Sequence, residues 1–279
     1  MLRNGLYIIA TPIGNLKDIS DRAMDVLQQA EIIACEDTRV TKKLFTLLGI
    51  SLQKKFIAYE DHQEQNKAGY IADLIEVGNA VALVSDAGSP LISDPGYKLV
   101  RLCREQNLYI TAIPGPCAVI TALQLSGLPT NRFMFAGFIP NKDKARQDLF
   151  TELKNVVATL IFYETALRLN KTLAAMNDIF PNREISVVKE MTKIYETTVN
   201  GTAVNLIDYF NQNEPRGEFV VMVAPPQEEN IAIENVREVL AKRMDETSLK
   251  TAVKEITLKY NLNKNEVYSL ALELKNEQL

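Results

Sequence analysis

The segment Ala80–Gly96 reads AVALVSDAGSPLISDPG and contains the unit from which the predicted fold is assembled. Its first five residues, Ala80–Val84, are all apolar, which predicts a buried strand. A loop rich in Gly, Pro, Ser and Asp follows, and the helical pattern of Tyr97–Gln106 comes directly after the loop. A buried strand, a loop and a helix in this order form the repeating unit of a parallel α/β sheet.

The same unit recurs on both sides of this segment. Ser20 is a predicted helix N-cap, and Gly49 and Gly78 are placed to end helices. The alternation predicts an N-terminal α/β domain over residues 1–125, with an open, mostly parallel sheet and helices on both faces. The predicted strands are Leu6–Ala10, Ile32–Cys35, Phe56–Tyr59, Ala80–Val84 and Leu108–Ile113, and the predicted helices are Asp21–Ala30, Thr41–Leu48, Gln65–Val77 and Tyr97–Gln106.

A second α/β block follows a Ser-Gly-Leu-Pro-Thr turn at Ser126–Thr130, which predicts a second domain over residues 126–225. Its later strands are close together in the sequence, so we expect these strands to pair in a more antiparallel way. The predicted strands are Phe133–Phe138, Leu160–Tyr163, Ile185–Lys189, Tyr195–Val199 and Phe219–Val223, and the predicted helices are Lys144–Leu153 and Leu167–Asn177.

The clearest linker of the chain is Ala224–Asn230, APPQEEN. Beyond it, residues 231–279 predict a small all-helical domain. Within that domain Ser248–Lys259, a polar turn and Glu266–Leu274 have the outline of a helix-turn-helix unit.

Composition excludes several common classes of protein. The net charge of −4 argues against a protein that coats nucleic acid nonspecifically. One histidine, His62, and three scattered cysteines are too few for a His/Cys zinc site. None of the twelve glycines has G-x-G spacing, so neither the dinucleotide-binding fingerprint nor the P-loop is present. The few cysteines and the short apolar run at the N-terminus favour a cytoplasmic protein that does not bind a membrane.

Three loops after predicted strands are rich in Gly, Pro and small polar residues: Thr11–Asn15, Ser85–Gly96 and Pro114–Ala118. The ligands of a doubly wound sheet bind outside the carboxyl ends of its strands. Small side chains let a flat ligand approach the backbone closely. The alternative is that each loop is only a tight turn. Three such loops at one sheet edge favour a small-ligand cleft.

Charged residues follow other strands. Glu36, Asp37 and Arg39 lie where a strand leads into a helix, and Lys189–Lys193 follows a strand of the second block. Helix capping and surface ion pairs are the alternative explanation of these charges. His62 lies in a polar loop and is a weaker candidate for a base.

Taken together and in this order, these segments resemble those of the tetrapyrrole-methylase-like (class III) S-adenosylmethionine methyltransferases. Within this family the chain resembles more specifically the branch that 2′-O-methylates a cytidine of 16S ribosomal RNA, in the decoding region of the small subunit. The matching segments are Leu6–Asn15 (LYIIATPIGN), Cys35–Arg39 (CEDTR), Val84–Gly96 (VSDAGSPLISDPG), Pro114–Ala118 (PGPCA) and Lys189–Lys193 (KEMTK).

The resemblance implies two α/β domains with a cofactor cleft between them, the tetrapyrrole methylase fold, in addition to the small C-terminal helical domain. It implies that S-adenosylmethionine binds in this cleft. The implied cofactor-binding residues are Pro12, Asp86, Gly88, Ser89, Cys117, Ala118, Tyr163 and Met191.

A ribose 2′-hydroxyl is a poor nucleophile at neutral pH, so a general base or a charge partner should assist. The candidates for this catalytic role are Glu36, Asp37 and Lys189. Arg39 and Lys193 are candidates to hold an RNA phosphate, and no metal is expected. The resemblance further implies 16S ribosomal RNA within the small subunit as partner, and a homodimer.

Two rival functions stay open at this point. The first is a methylase of the same fold that acts on a tetrapyrrole such as a corrin precursor. The second is a ribosome-assembly or RNA-binding factor without catalysis.

Overall fold

The computed structural model describes residues 2–60, 64–226, 233–260 and 262–277. His62 lies outside these ranges. The chain divides into two compact units, Met1–Pro225 and Pro226–Leu279. No helix in the described ranges is both long enough and apolar enough to cross a bilayer.

The first sheet of the larger unit is entirely parallel, with strand order β3-β2-β4-β1-β5. Its strands are β1 (Gly5–Ile9), β2 (Ile32–Cys35), β3 (Lys55–Ala58), β4 (Ala80–Val84) and β5 (Ile110–Ile113). The helices between them are α1 (Asp21–Gln29), α2 (Thr38–Leu47), α3 (Glu64–Glu76) and α4 (Tyr97–Glu105), and α5 (Ala118–Ser126) follows β5.

Side chains of β1 alternate between two apolar layers, because successive residues of a strand face opposite sides of a sheet. Tyr7 and Ile9 pack in one layer with α1, and Leu6 packs in the other with α3 and α4. The predicted parallel sheet with helices on both faces is therefore confirmed.

The second sheet has the order β6-β7-β10-β8-β9. Only β6 and β7 pair in parallel, and the other three pairs are antiparallel, which confirms the predicted antiparallel finish. Its elements are β6 (Phe133–Phe138), α6 (Asp143–Leu153), β7 (Thr159–Thr165), α7 (Ala166–Ile179), β8 (Ile185–Lys189), β9 (Thr197–Gly201), α8 (Ala203–Gln212) and β10 (Glu218–Val223).

Helix α5 follows the first sheet in the chain but packs on the second. Its residues Val119, Ala122 and Leu123 share an apolar cluster with Val220 and Met222 of β10. The chain therefore passes from one sheet to the other through the loop between β5 and α5. The division into domains 1–125 and 126–225 stays a proposal.

Several boundaries differ from the sequence prediction. Helix α2 begins three residues earlier than predicted, because the Asp37 carboxylate accepts the Arg39 N–H and caps its first turn. Strand β9 lies two residues later than predicted. Helix α8, which the prediction missed, begins with a capping box between Thr202 and Asn205.

In the part of the C-terminal unit that the structure describes there are three helices, α9 (Ile233–Glu246), α10 (Leu249–Tyr260) and α11 (Lys264–Glu277). They enclose an apolar core that includes Leu240, Val253 and Ala271. The all-helical prediction and the two later helices are confirmed, whereas α9 was not predicted.

Candidate active site

The three small-residue loops leave β4, β1 and β5, which are neighbours at the centre and one side of the first sheet. Because these strands are parallel, their carboxyl ends lie at one edge. Two backbone hydrogen bonds join the first pair of loops: the Thr11 N–H donates to the Gly88 carbonyl (2.8 Å), and the Gly88 N–H donates to the Thr11 carbonyl (3.0 Å). The Ser89 hydroxyl donates to the Pro116 carbonyl (3.0 Å) and joins the third loop.

These loops form one side of a cavity of about 570 Å³, and residues of the second sheet form the other side. Its volume lies within the range of about 300–1,000 Å³ that is usual for small-ligand sites. The wall consists of Ile13, Glu36, Asp86, Ala87, Gly88, Ser89, Ile92, Ser93, Asp94, Cys117, Ala118, Phe138, Tyr163, Glu190, Met191, Lys193, Gly217, Glu218, Phe219 and Val220.

The wall contains most of the predicted cofactor-binding residues. Those on it are Asp86, Gly88, Ser89, Cys117, Ala118, Tyr163 and Met191. Pro12 is not on the wall, but its neighbour Ile13 is. The wall thus joins residues that are 105 positions apart in the chain (86 to 191), which agrees with a cleft between the two sheets.

Of the predicted catalytic residues, the structure places Glu36 on the cavity wall and Asp37 outside it. The Asp37 carboxylate instead accepts from the backbone N–H (2.7 Å) and Nη2 (2.6 Å) of Arg39. These hydrogen bonds lower the pKa of Asp37 to about 2. The Arg39 side chain is 90% exposed and is held by Asp37.

Lys189 lies at the end of β8 and is not part of the wall, whereas Glu190 and Lys193 are. The Lys193 ammonium pairs with the Glu190 carboxylate at 3.1 Å. Glu190 and Thr192 have φ angles of 53° and 64°, which non-glycine residues rarely adopt. This tight turn brings both charged side chains to the cavity.

Sequence reasoning missed some charged and aromatic wall residues. Asp94 belongs to the ISDPG part of the Val84–Gly96 segment, which is the signal that pointed to it. Glu218 lies at the start of a strand in the second block, and nothing local in the sequence singles it out. Phe138 ends the strand Phe133–Phe138, whose bounds were predicted, but no site role was given to it. Among the described residues, no group of three or more His, Cys, Asp or Glu side chains is arranged to hold a metal ion.

The wall carries more acidic than basic side chains. Glu36, Asp86, Asp94, Glu190 and Glu218 line it together with Lys193. Burial raises the pKa of Asp86, although its Oδ1 accepts the Asp37 N–H at 3.1 Å. Such a cavity favours a ligand of net positive charge.

Tyr163 contributes an apolar surface to the same cavity. Its ring packs edge to face against those of Phe135 and Phe138, with centroids 4.8 Å and 5.2 Å away. Burial raises the pKa of its hydroxyl above the usual value, so Tyr163 stays neutral at physiological pH.

Gly14, in the loop after β1, lies against the Met191–Lys193 turn of the second sheet. A Cβ atom at position 14 would lie only 2.8 Å from the Met191 carbonyl oxygen, Thr192 Oγ1 and Lys193 Cγ. The absence of a side chain at Gly14 therefore sets the distance between these two loops on opposite sides of the cavity.

Comparison with known proteins agrees with this architecture. Residues 5–207 match the family model of tetrapyrrole (corrin/porphyrin) methylases, and residues 230–275 match that of the RsmI C-terminal HTH domain. The chain is 43% identical to the ribosomal RNA small subunit methyltransferase I of Rickettsia prowazekii (strain Madrid E), over 99% of both chains. It is 48% identical to that of Erythrobacter litoralis (strain HTCC2594), over 98% of this chain and 96% of the relative.

The chain belongs to the ribosomal RNA small subunit methyltransferase I family of tetrapyrrole methylases.

Two solved methyltransferase structures share this fold. The methyltransferase CobJ superposes with a TM-score of 0.61 at 14% identity, over 82% of this chain and 97% of that one. A cobalt precorrin-4 methyltransferase gives a TM-score of 0.57 at 17% identity, over 78% of this chain and 94% of that one. At these identities the likeness concerns the fold alone, and it confirms the predicted tetrapyrrole methylase fold.

S-adenosylmethionine is the cofactor of this tetrapyrrole methylase, and the cavity fits it in three respects. The volume is sufficient, the excess of carboxylates suits its net positive charge, and Gly88, which has no side chain, brings backbone to the cavity surface. When bound, the cofactor supplies an electrophilic methyl group on a positively charged sulfur.

We expect Gly14→Ala to lower the affinity for S-adenosylmethionine and to destabilise the fold by about 1–3 kcal/mol, because the added methyl group overpacks the contact with Met191–Lys193. Calorimetric titration and urea unfolding measure the two effects. Gly69→Ala is the control, since nothing lies within 4 Å of its added Cβ. Unchanged cofactor binding in the Gly14 variant would contradict the role given to this contact.

We expect Asp86→Asn to bind S-adenosylmethionine on the order of 10-fold more weakly, because a hydrogen-bonding anion is lost from the wall. The same variant should be more stable than the wild type at neutral pH. Since burial raises the pKa of Asp86 in the folded state, its ionised form opposes folding above the ordinary value of 3.8.

The gain in stability should therefore disappear as the pH falls below that value. Urea unfolding at several pH values and calorimetric titration test both statements. Asp208→Asn, on the exposed surface of α8, is the control. A wild-type affinity in the Asp86 variant would remove this carboxylate from the cofactor site.

Proposed function

We propose that this chain transfers a methyl group from S-adenosylmethionine to the ribose 2′-hydroxyl of a cytidine in 16S ribosomal RNA. The observation that carries the proposal is the acid-lined cavity formed by the loops after β1, β4 and β5 and by the Glu190–Lys193 turn. Near full-length similarity to small-subunit ribosomal RNA methyltransferases supports the RNA as substrate. The substrate is the decoding region of the small ribosomal subunit, and the enzyme acts in the cytoplasm as a homodimer.

Glu36 is the residue that accepts the proton of the 2′-hydroxyl. It lies on the cavity wall, whereas the neighbouring Asp37 is occupied by Arg39 and has a pKa of about 2. A carboxylate of such low pKa is a poor proton acceptor. Asp37 therefore has a positioning role, because it caps α2 and its N–H holds Asp86.

Lys193 is the cation on the wall, and its pairing with Glu190 holds it there. In this position it attracts the phosphate next to the target ribose. Arg39, which is exposed three residues after Glu36, provides a second contact for the RNA backbone. Lys189 lies outside the wall and is the less favoured candidate for a base.

The substrate is tested with labelled S-adenosylmethionine and three acceptors: naked 16S RNA, unmethylated small subunits and a corrin precursor. We expect label in the subunits, at one cytidine whose 3′ linkage resists alkali because its 2′-oxygen is methylated. Label in the tetrapyrrole alone would contradict the proposed substrate. Absence of transfer to every acceptor, together with absence of cofactor binding, would favour the non-catalytic assembly factor.

The base is tested with Glu36→Gln, for which we expect kcat to fall by at least about 100-fold. The affinity for S-adenosylmethionine should change much less than kcat. Asp37→Asn keeps the N-cap and should lose far less activity. If Lys189→Gln abolished methylation while Glu36→Gln retained it, the base would be the lysine and the assignment to Glu36 would be wrong.

A further inference from the structure

Phe138 ends β6 at the cavity and is 48% exposed. A β-bulge precedes it: Phe135 is opposite Ile161, and Phe138 is opposite Tyr163. Between these two pairs β6 advances by three residues and β7 by two, so β6 has one extra residue. Without the extra residue Phe138 would face the other side of the sheet.

The bulge is placed where the two sides of the cavity meet. Gly137 has a φ of 72°, and a Cβ added there would lie 3.7 Å from Ser93 Oγ. The loop after β4 therefore passes close to the bulge. The aromatic ring of Phe138 is directed to the site by backbone geometry and stays accessible.

The segment after Phe138 is held by hydrogen bonds to its backbone. The Ile139 N–H donates to the Tyr163 carbonyl (3.1 Å), and Arg168 Nη1 donates to the Ile139 carbonyl (3.1 Å). The buried Arg146 donates to the Pro140 and Asn141 carbonyls at 3.5 Å and 3.4 Å. Phe138 is consequently an exposed ring on a fixed backbone, which lowers the entropy cost of binding a flat partner.

Two exposed lysines, Lys142 and Lys144, follow at the start of α6. Neither forms a salt bridge with any residue that the structure describes. The nearby Asp143 carboxylate is engaged by Arg146, so the two lysine charges are not offset by it. Two lysines that do not line the acid-lined cavity therefore follow the exposed ring of Phe138 four and six residues later in the chain.

We propose that Phe138, Lys142 and Lys144 form a nucleotide-entry surface for single-stranded RNA, an inference that rests on the proposed function. The ring stacks on the base of the target nucleotide, and the lysines bind the phosphates beside it. Carboxylates outnumber the one lysine of the wall, so the backbone beyond the phosphate held by Lys193 stays outside the cavity, on Lys142 and Lys144. Stacking on Phe138 holds the 2′-hydroxyl toward Glu36 and the cofactor.

The stacking contact is tested with Phe138→Ala, Phe138→Leu and Phe138→Trp, using unmethylated small subunits as substrate. We expect the alanine variant to lose kcat/KM on the order of 10-fold, because base stacking on an aromatic ring is lost. The leucine variant keeps an apolar side chain but not the ring and should lose nearly as much. The tryptophan variant should restore most of the loss, and the affinity for S-adenosylmethionine should equal that of the wild type in all three.

The lysines are tested with the double variant Lys142→Gln, Lys144→Gln, by measuring kcat/KM over a range of salt concentrations. Each phosphate contact to a single strand contributes about 0.7 to the slope of log affinity against log salt. The double variant should therefore have a slope smaller by about 1.4. Lys154→Gln is the matched control, because Lys154 follows the opposite end of the same helix.

Three results would overturn the proposal. Weaker binding of S-adenosylmethionine to Phe138→Ala would assign the ring to the cofactor, and a change in its association state would assign the ring to a subunit contact. A salt slope equally reduced by Lys154→Gln would make the lysine effect nonspecific. If the wild-type enzyme did not methylate subunits at all, the proposed function itself would fail. That failure is distinguishable from failure of the entry surface, because it concerns the wild-type enzyme and not the variants.

Discussion

Two hydrogen bonds between the backbones of Thr11 and Gly88 hold together the edge of the first sheet on which the cavity depends. They connect the loops after β1 and β4, and Thr11 is completely buried where they form. The Ser89 hydroxyl extends the connection to Pro116 and so to the loop after β5. Backbone that is paired in this way has a defined shape before any ligand binds, which reduces the entropy cost of binding.

Most charged side chains on the cavity wall differ in sign from those considered outside it. Inside the cavity carboxylates outnumber the single lysine of the wall, which suits a cofactor of net positive charge. The exposed cations outside it include Lys142 and Lys144 after β6 and Arg39 at the start of α2. In the proposed function these cations are the contacts for the negatively charged RNA backbone. This arrangement explains how a protein of net charge −4 handles a polyanionic substrate without a uniformly basic surface.

The features that the sequence predicted are local ones. Strands Ile32–Cys35, Ala80–Val84 and Phe133–Phe138 match their predicted bounds, because continuous apolar runs between turn residues suffice to define them. Because β1, β4 and β5 are parallel, the three loops that follow them lie at one edge of the first sheet. The choice between Glu36 and Asp37 was not predictable, since it depends on which carboxylate Arg39 engages. Glu218 and the β6 bulge also escaped prediction, because both acquire meaning only through strand pairing between distant segments.

Amide hydrogen exchange with and without S-adenosylmethionine tests most directly the claim that one cofactor contacts both sheets. We expect slower exchange on binding in both the Ser85–Gly96 loop and the Glu190–Lys193 turn. The amides of Leu240–Met244 in the C-terminal unit should not change and serve as the internal reference. Protection confined to the first sheet's loops, with Glu190–Lys193 unaffected, would contradict a cofactor site formed by both sheets.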